Sequence, residues 1–125
     1  MRHLFITLTI VFSLLALPAH AVDHGQALTA KEADQACSQL TQLYTLAIMY
    51  VQDGNSRATI DAKFAKLVET IRIQNPDGAL VAQMFIAQTV PAVWNQRRSI
   101  VKLDDDAISR VIDAVYEGCY TAAVK

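Results

Sequence analysis

The sequence predicts an all-α fold, a small antiparallel bundle of four helices closed by one disulfide. Three observations lead to this prediction. Apolar residues recur every three or four positions in four segments. Helix-capping residues stand at the ends of these segments. The only two cysteines fall on the apolar faces of the first and last segments. A fifth helix arises if Pro91 divides the third segment.

Residues 1–21 have the features of a secretory signal peptide. An apolar run from Leu4 to Leu17 ends at Pro18, and small residues at positions 19 and 21 favour cleavage after Ala21. The run is shorter than the roughly 20 residues that a membrane-spanning helix needs. We therefore expect residues 22–125 to form a single helical domain in the periplasm, with secretion as the alternative and no membrane association after the signal is removed.

Charge and histidine content argue against several classes of function. The chain has 11 Lys or Arg and 12 Asp or Glu residues, so it lacks the basic excess that a nucleic-acid partner requires. Of its three histidines only His24 remains after the predicted cleavage. Histidine-dependent nucleophilic catalysis, a zinc site and covalent haem are therefore not expected. We predict no enzymatic activity, no metal and no cofactor.

The first two helices have clear boundaries in the sequence. Thr29 and Glu32 form a capping box, and Gly54 suits the residue after the end of the first helix. The second helix is predicted to begin at Asn55 or Ser56 and to end just before Pro76, because a residue that precedes proline avoids helical geometry. The segment "NPDG" is interpreted as a turn.

The third segment leaves two alternatives at Pro91. Either one helix kinks there, or a helix ends near Thr89 and a short second helix starts with Pro91 at its first position. The apolar residues of this segment are less one-sided than those of the others, which predicts a more buried helix. The last helix is predicted to start at Asp104, with two further aspartates in its first turn and with a buried apolar stripe.

Cys37 and Cys119 are expected to form a structural disulfide. Exported proteins that contain two cysteines commonly pair them, and in an antiparallel bundle the start of the first helix lies beside the end of the fourth. A loop of about 83 residues would then be closed, with a chain-entropy contribution of about 4.5 kcal/mol. Gly118 is interpreted as making room for close approach at this bond.

Trp94, Arg97 and Arg98 form the candidate partner-binding patch, because Trp and Arg are enriched at binding hot spots. The alternative is that Trp94 is a packing residue and that the arginines pair with the aspartates that begin the last helix. The tyrosines of the first and last helices are expected to form an aromatic layer near the disulfide.

In outline the chain resembles small exported bacterial helical proteins with one disulfide, a group that includes effector-immunity proteins and acid-stress periplasmic chaperones. A signal peptide, an early cysteine in the first helix and a late cysteine in the last carry this resemblance, which implies no functional residue. The expected function is a protein-binding module, such as an immunity protein or an inhibitor of a cell-wall hydrolase. The alternatives are an acid-stress chaperone and a small enzyme that uses carboxylates. The oligomeric state remains open.

Overall fold

The structure is a computed structural model that describes residues 27–124. The predicted signal peptide and His24 lie outside the described residues. Five helices and no strand occur in this range, so the predicted all-α bundle is confirmed. The helices are α1 (Ala30–Gln52), α2 (Arg57–Gln74), α3 (Pro76–Asn95), α4 (Arg97–Ile100) and α5 (Asp105–Ala123).

The long helix α1 is the centre of the fold. It packs against α3 on one side and α5 on another, whereas α2 packs mainly on α3. Buried residues therefore occur around most of its circumference and include the polar Gln39 and Thr41. The three-four spacing of apolar residues in this segment of the sequence predicts a single buried face for α1. That expectation was too narrow, because two partner helices cover different sides.

The core lies where α1, α2 and α3 meet. Its largest fully buried side chains come from α1 and α2, the helices with the most bulky aliphatic residues at helical spacing. Burial of each such side chain contributes about 1.5–3 kcal/mol. These residues are Phe64, Leu43, Leu46, Ile48, Ile60 and Ile71.

The end of α1 confirms the role predicted for Gly54. This glycine has φ +83°, in the left-handed region that residues with a Cβ avoid. Its N–H donates to the Val51 carbonyl at 3.0 Å, and the next N–H, of Asn55, donates to the Tyr50 carbonyl at 3.2 Å. These two bonds form a Schellman motif, which satisfies carbonyls at the helix end. The chain can then turn at once into α2, whose N-cap is Ser56.

The interpretation of "NPDG" as a separate turn is wrong. Asn75 is both the C-cap of α2 and the N-cap of α3. Its side-chain oxygen accepts a hydrogen bond from the Gly78 N–H at 3.0 Å. Pro76 occupies the first position of α3, where its missing N–H costs nothing. Asp77 follows in the first turn, where its charge suits the helix dipole. Asn75 alone, in an extended conformation, therefore connects α2 to α3.

A fifth helix exists, but it does not arise from a break at Pro91. Helix α3 continues through Pro91 to Asn95, and the short α4 begins only at Arg97. The proline removes one N–H from the helical ladder and leaves the Ala87 carbonyl without that donor. Ala87 is exposed, so water can reach this part of the helix. The third helix is therefore not split at Pro91.

Burial in α3 and α5 agrees with the prediction only in part. Helix α3 has seven buried residues, more than α2 or α5 and fewer than α1, but its Leu80 and Met84 are 60% and 48% exposed. In α5 no residue is fully buried, and its apolar stripe is half-exposed. The physical reason is that α5 packs mainly on α1, so a single helix covers it.

Gly118 does not make room for the disulfide. It is exposed, and a Cβ placed on it would meet nothing within 4 Å. The earlier interpretation is therefore wrong. Because glycine in a helix is less favourable than alanine by about 1 kcal/mol, we expect Gly118→Ala to raise the free energy of unfolding by about 0.5–1 kcal/mol in urea denaturation. Gly54→Ala is the matched comparison and should destabilise. Equal effects of the two substitutions would contradict the assignment.

Gln52 joins the end of α1 to α4 and to the segment that connects α4 with α5, a role that the sequence did not reveal. Its side-chain amide donates to the carbonyls of Ile100 and Leu103 at 3.1 and 3.0 Å. We expect Gln52→Glu to cost about 1–2 kcal/mol of unfolding free energy, because a carboxylate keeps the shape but cannot donate to these carbonyls. The control is Gln74→Glu at an exposed helix end. A Gln52→Glu variant as stable as this control would refute the role.

Candidate functional site: the outer face of α3

The structure brings two of the three predicted patch residues into contact. The Arg97 guanidinium lies over the Trp94 ring, with its central carbon 4.6 Å from the ring centroid. Arg97 also donates a hydrogen bond to the Trp94 carbonyl at 3.1 Å. Both residues are half-buried, and Trp94 packs against the core with part of its surface. Trp94 is thus both a packing residue and the base on which Arg97 is held.

Arg98 is placed differently. It is exposed on α4 and belongs to the same end of the molecule. Arg97 is held by Trp94, through the stacked guanidinium and the hydrogen bond to the Trp94 carbonyl. Asp104 caps α5, with its carboxylate accepting from the Ala107 N–H at 2.8 Å. The patch therefore presents one stacked arginine and one exposed arginine beside a partly exposed tryptophan.

Trp94 is also the last member of a row of apolar residues that the sequence reasoning missed. The row runs along the outside of α3 at successive spacings of four, three, four and three residues, and all five of its members are exposed or half-exposed. At 100° per residue these positions lie within about 80° of one another, and they span about 21 Å. We call this row the α3 stripe: Leu80, Met84, Ala87, Pro91 and Trp94.

A signal for the α3 stripe was present in the sequence. Its spacing is the heptad-like spacing of a helix face that meets another helix. The segment was interpreted as buried because apolar residues occur on both sides of it. Only the packing of α3 on α1 and α2 shows which of its two apolar sides is left uncovered.

An open groove of about 320 Å³ runs between α2 and α3 beside the α3 stripe. Phe64, Val68 and Ile86 supply its apolar lining, and Ala87 is common to the groove and the stripe. Its volume falls at the lower end of the range of small-molecule pockets. The groove widens the apolar surface at the middle of the α3 stripe.

Carboxylates also line this groove, but each has an arginine partner. Asp61 forms an ion pair with Arg57 at 3.2 Å, and Glu69 forms one with Arg72. Along the helix axis the two acidic residues are about 12 Å apart. Paired carboxylates for glycoside cleavage need a shorter separation, at most about 9.5 Å. The hypothesis of a carboxylate enzyme gains no support from this groove.

The predicted disulfide is present between α1 and α5. Cys37 and Cys119 are bonded, with their Cα atoms 5.7 Å apart. Beside the bond, the Tyr116 hydroxyl donates a hydrogen bond to the Asp34 carboxylate, and the Tyr116 and Tyr120 rings stack with centroids 6.0 Å apart. This part of the predicted aromatic layer is confirmed.

Tyr50 lies at the other end of α1 and does not join that layer. Its ring meets Phe64 of α2 edge-on at 5.6 Å, and the Lys63 amine lies 5.3 Å from the ring centroid. Burial, and secondarily the nearby Asp53 carboxylate, raises the pKa of Tyr50. The tyrosines therefore serve two separate contacts of α1, one with α5 and one with α2.

The hydrogen bond to Asp34 raises the pKa of Tyr116 from 10.0 to about 12. Because the folded state favours the neutral phenol, the stabilisation from this bond is complete below pH 10 and is lost as the pH rises towards 12. We expect Asp34→Ala to lower the pKa of Tyr116 towards 10.0 in an absorbance titration of tyrosinate. Asp61→Ala is the control and should leave the titration unchanged. An unaltered Tyr116 in Asp34→Ala would contradict the contact.

Residues 27–124, which the structure describes, lack two kinds of feature. They contain no group of three or more His, Cys, Asp or Glu side chains arranged to hold a metal ion. Within the same range, no helix is both long enough and apolar enough to cross a membrane.

Comparison with known proteins identifies no relative. No protein-family model matches the chain, and neither a curated protein nor a solved structure matches it. The α3 stripe, with Trp94 and the two arginines at its end, is therefore assigned as the candidate site from its own geometry.

Proposed function

We propose that the protein is a periplasmic protein-binding module without catalytic activity that acts as an immunity or inhibitor protein against a secreted effector or a cell-wall hydrolase. The observation that carries this proposal is the Trp94–Arg97 stack at the end of the exposed α3 stripe. The disulfide indicates an oxidising, exported environment. The periplasm is the exported compartment that the sequence features favour.

The stack suits binding because it is ordered before a partner arrives. Arg97 is held by the Trp94 ring and by the Trp94 carbonyl, so less side-chain freedom is lost on association. Trp and Arg are the side chains that most often dominate the binding energy of protein interfaces. A partly buried tryptophan in a rigid helix provides a fixed anchor, and the α3 stripe extends the contact beyond it.

The charge of the patch indicates the kind of partner. Arg97 and the exposed Arg98 give this end of α3 and α4 two positive charges, which complement an acidic surface. Cell-wall glycosidases commonly work with a pair of Asp or Glu carboxylates. The exposed Arg98, beside Arg97 stacked on Trp94, is suited to contact such a cleft, so a hydrolase of this class is the favoured target.

The test compares two charge-reversed variants of equal net charge. Arg97→Glu with Arg98→Glu alters the patch, whereas Lys66→Glu with Arg110→Glu alters exposed residues elsewhere. Each protein is immobilised and exposed to periplasmic extract, and separately added to a muramidase assay on cell-wall material. We expect stoichiometric capture or inhibition by the wild type and the control variant, reduced at least tenfold in the patch variant. Equal behaviour of both variants, or no partner at all, overturns the proposal.

One observation favours the acid-stress chaperone as a second candidate. Helix α5 has no fully buried residue, and an ionisable contact, Tyr116 to Asp34, helps to hold it on α1. A charged carboxylate accepts a stronger hydrogen bond than a neutral acceptor does. A chaperone of this kind must expose apolar surface in acid, so dye binding at about pH 2–3 distinguishes the candidates. A protein that binds no dye there is not such a chaperone.

A further inference from the structure

We propose that the α3 stripe is the contact surface of a homodimer, in which two α3 helices pair antiparallel across a twofold axis at Ala87. This inference goes beyond the proposed function, because it names a second copy of the chain as the first occupant of the same binding surface. An external partner would then compete with the second copy for Trp94 and the α3 stripe.

The apolar residues are arranged almost symmetrically about Ala87. Leu80 lies seven positions before it and Trp94 seven positions after it. Met84 lies three before and Pro91 four after. Antiparallel pairing centred on Ala87 therefore places Leu80 of one protomer beside Trp94 of its partner, and Met84 of one beside Pro91 of its partner. Such self-complementarity is what a twofold interface requires, and a surface that only binds a different protein does not need it.

The charges at the two ends follow the same symmetry. Asp77 lies ten positions before Ala87 and is exposed, and Arg97 lies ten positions after it. In the antiparallel pair each Asp77 meets the Arg97 and Arg98 end of the other protomer. A parallel pair would instead bring like charges together, at a cost in free energy. Charge complementarity therefore favours the antiparallel arrangement over the parallel one. It also favours a second copy of the chain as the partner.

The size of the side chain at the centre also suits a helix crossing. Ala87 is the smallest member of the α3 stripe and is exposed. The axes of two α3 helices can therefore approach to about 8–10 Å there. The contact extends about 21 Å along each helix, which is shorter than the interfaces of permanent dimers. Standard stable interfaces bury about 1,600 Å². A dimer built on one helix pair should therefore be weak and dissociate in the micromolar range.

The first experiment measures mass by sedimentation equilibrium between about 1 and 500 µM of full mature protein. We expect the wild type to approach twice the monomer mass at the upper end. Ala87→Arg places a bulky charge at the twofold axis and should weaken association at least tenfold. Ala62→Arg, which adds the same side chain at an exposed position of α2 outside the groove, should not. A monomeric wild type at 500 µM, or equal association of the two variants, overturns the dimer.

A charge-reversal pair tests the orientation. Asp77→Arg and Arg97→Asp should each weaken association, because each brings like charges together at both ends of the dimer. Their combination restores opposite charges and should recover most of the wild-type association. Recovery is the expected result, and additive weakening would overturn the antiparallel arrangement.

The two proposals fail in different ways. A wild type that stays monomeric but captures a hydrolase through Arg97 and Arg98 refutes the dimer and leaves the proposed function intact. A dimer sensitive to Ala87→Arg in a protein that captures nothing supports the dimer and refutes the proposed function. Urea unfolding of each variant checks that a loss of association does not reflect a loss of folding.

Discussion

Replacing both cysteines, Cys37→Ala with Cys119→Ala, is expected to lower the free energy of unfolding by about 4–5 kcal/mol. The bond joins residues 82 positions apart, and the chain-entropy cost of closing a loop of this length is about 4.5 kcal/mol in the unfolded state. A small domain has a total stability of about 5–15 kcal/mol. Urea denaturation should therefore show a large shift of the midpoint, and the protein should be marginally stable without the disulfide.

Reduction of the wild type provides the matched control. A reductant should bring the wild type to the stability of the double variant and should leave the double variant unchanged. Hydrogen exchange should then be fastest in α5, because none of its residues is fully buried and α1 is its main packing partner. A loss below about 1 kcal/mol, or equal protection of all helices after reduction, would show that the disulfide does not hold the fold closed.

Phe64→Ala is expected to cost about 3–5 kcal/mol of unfolding free energy. Phe64 is the largest fully buried side chain, 1% exposed, and it meets the Tyr50 ring edge-on. Its removal forfeits the burial of the ring and leaves a cavity where α2 packs on the core. The aromatic contact with Tyr50 is lost as well, which accounts for about 0.5–1.5 kcal/mol. Urea denaturation measures the effect.

Ile73→Ala on the same helix is the control. Ile73 is 83% exposed, so this substitution also removes a large apolar side chain but leaves no cavity. Its effect should stay within about 0.5 kcal/mol. A comparable loss for Phe64→Ala and Ile73→Ala would mean that α2 does not pack through the face assigned to it.

Local features of the fold were predictable because they depend on neighbours in the chain. The capping box of Thr29 and Glu32, the left-handed Gly54 and the Asp104 cap all occur where the sequence placed them. Each of these structures is made by residues within about five positions of one another. The turn assigned to "NPDG" failed for the same kind of reason, since Pro76 is equally suited to a turn and to the first position of a helix.

Burial was predicted less well because it depends on which helices touch. The periodicity of α5 indicated a buried stripe, yet α5 has no fully buried residue. Helix α3 is more buried than α2 and α5, as its pattern indicated, but it leaves Leu80 60% exposed. Periodicity identifies an apolar face but not how many neighbours cover it. Gly118 shows the same limit, since a glycine beside a disulfide suggested close approach and the structure places it in open space.

The candidate site was predicted in part. Trp94, Arg97 and Arg98 were identified from residue type and proximity in the chain, and the structure adds the stacking of Arg97 on Trp94. The α3 stripe and the α2–α3 groove were not identified. They are formed by the sides of α3 that α1 and α2 leave uncovered. A local sequence pattern does not show which sides these are.

The sequence by itself determined the helical class, the helix ends marked by Thr29, Gly54 and Asp104, and the pairing of Cys37 with Cys119. These follow from local backbone chemistry and from the presence of only two cysteines in an antiparallel arrangement. The tertiary structure alone decided that α1 is central, that α5 is covered on one side only, and that the α3 stripe faces outwards. The physical reason is that apolar residues drive burial without specifying a partner, and only the complete packing of the helices decides which apolar faces stay in contact with water.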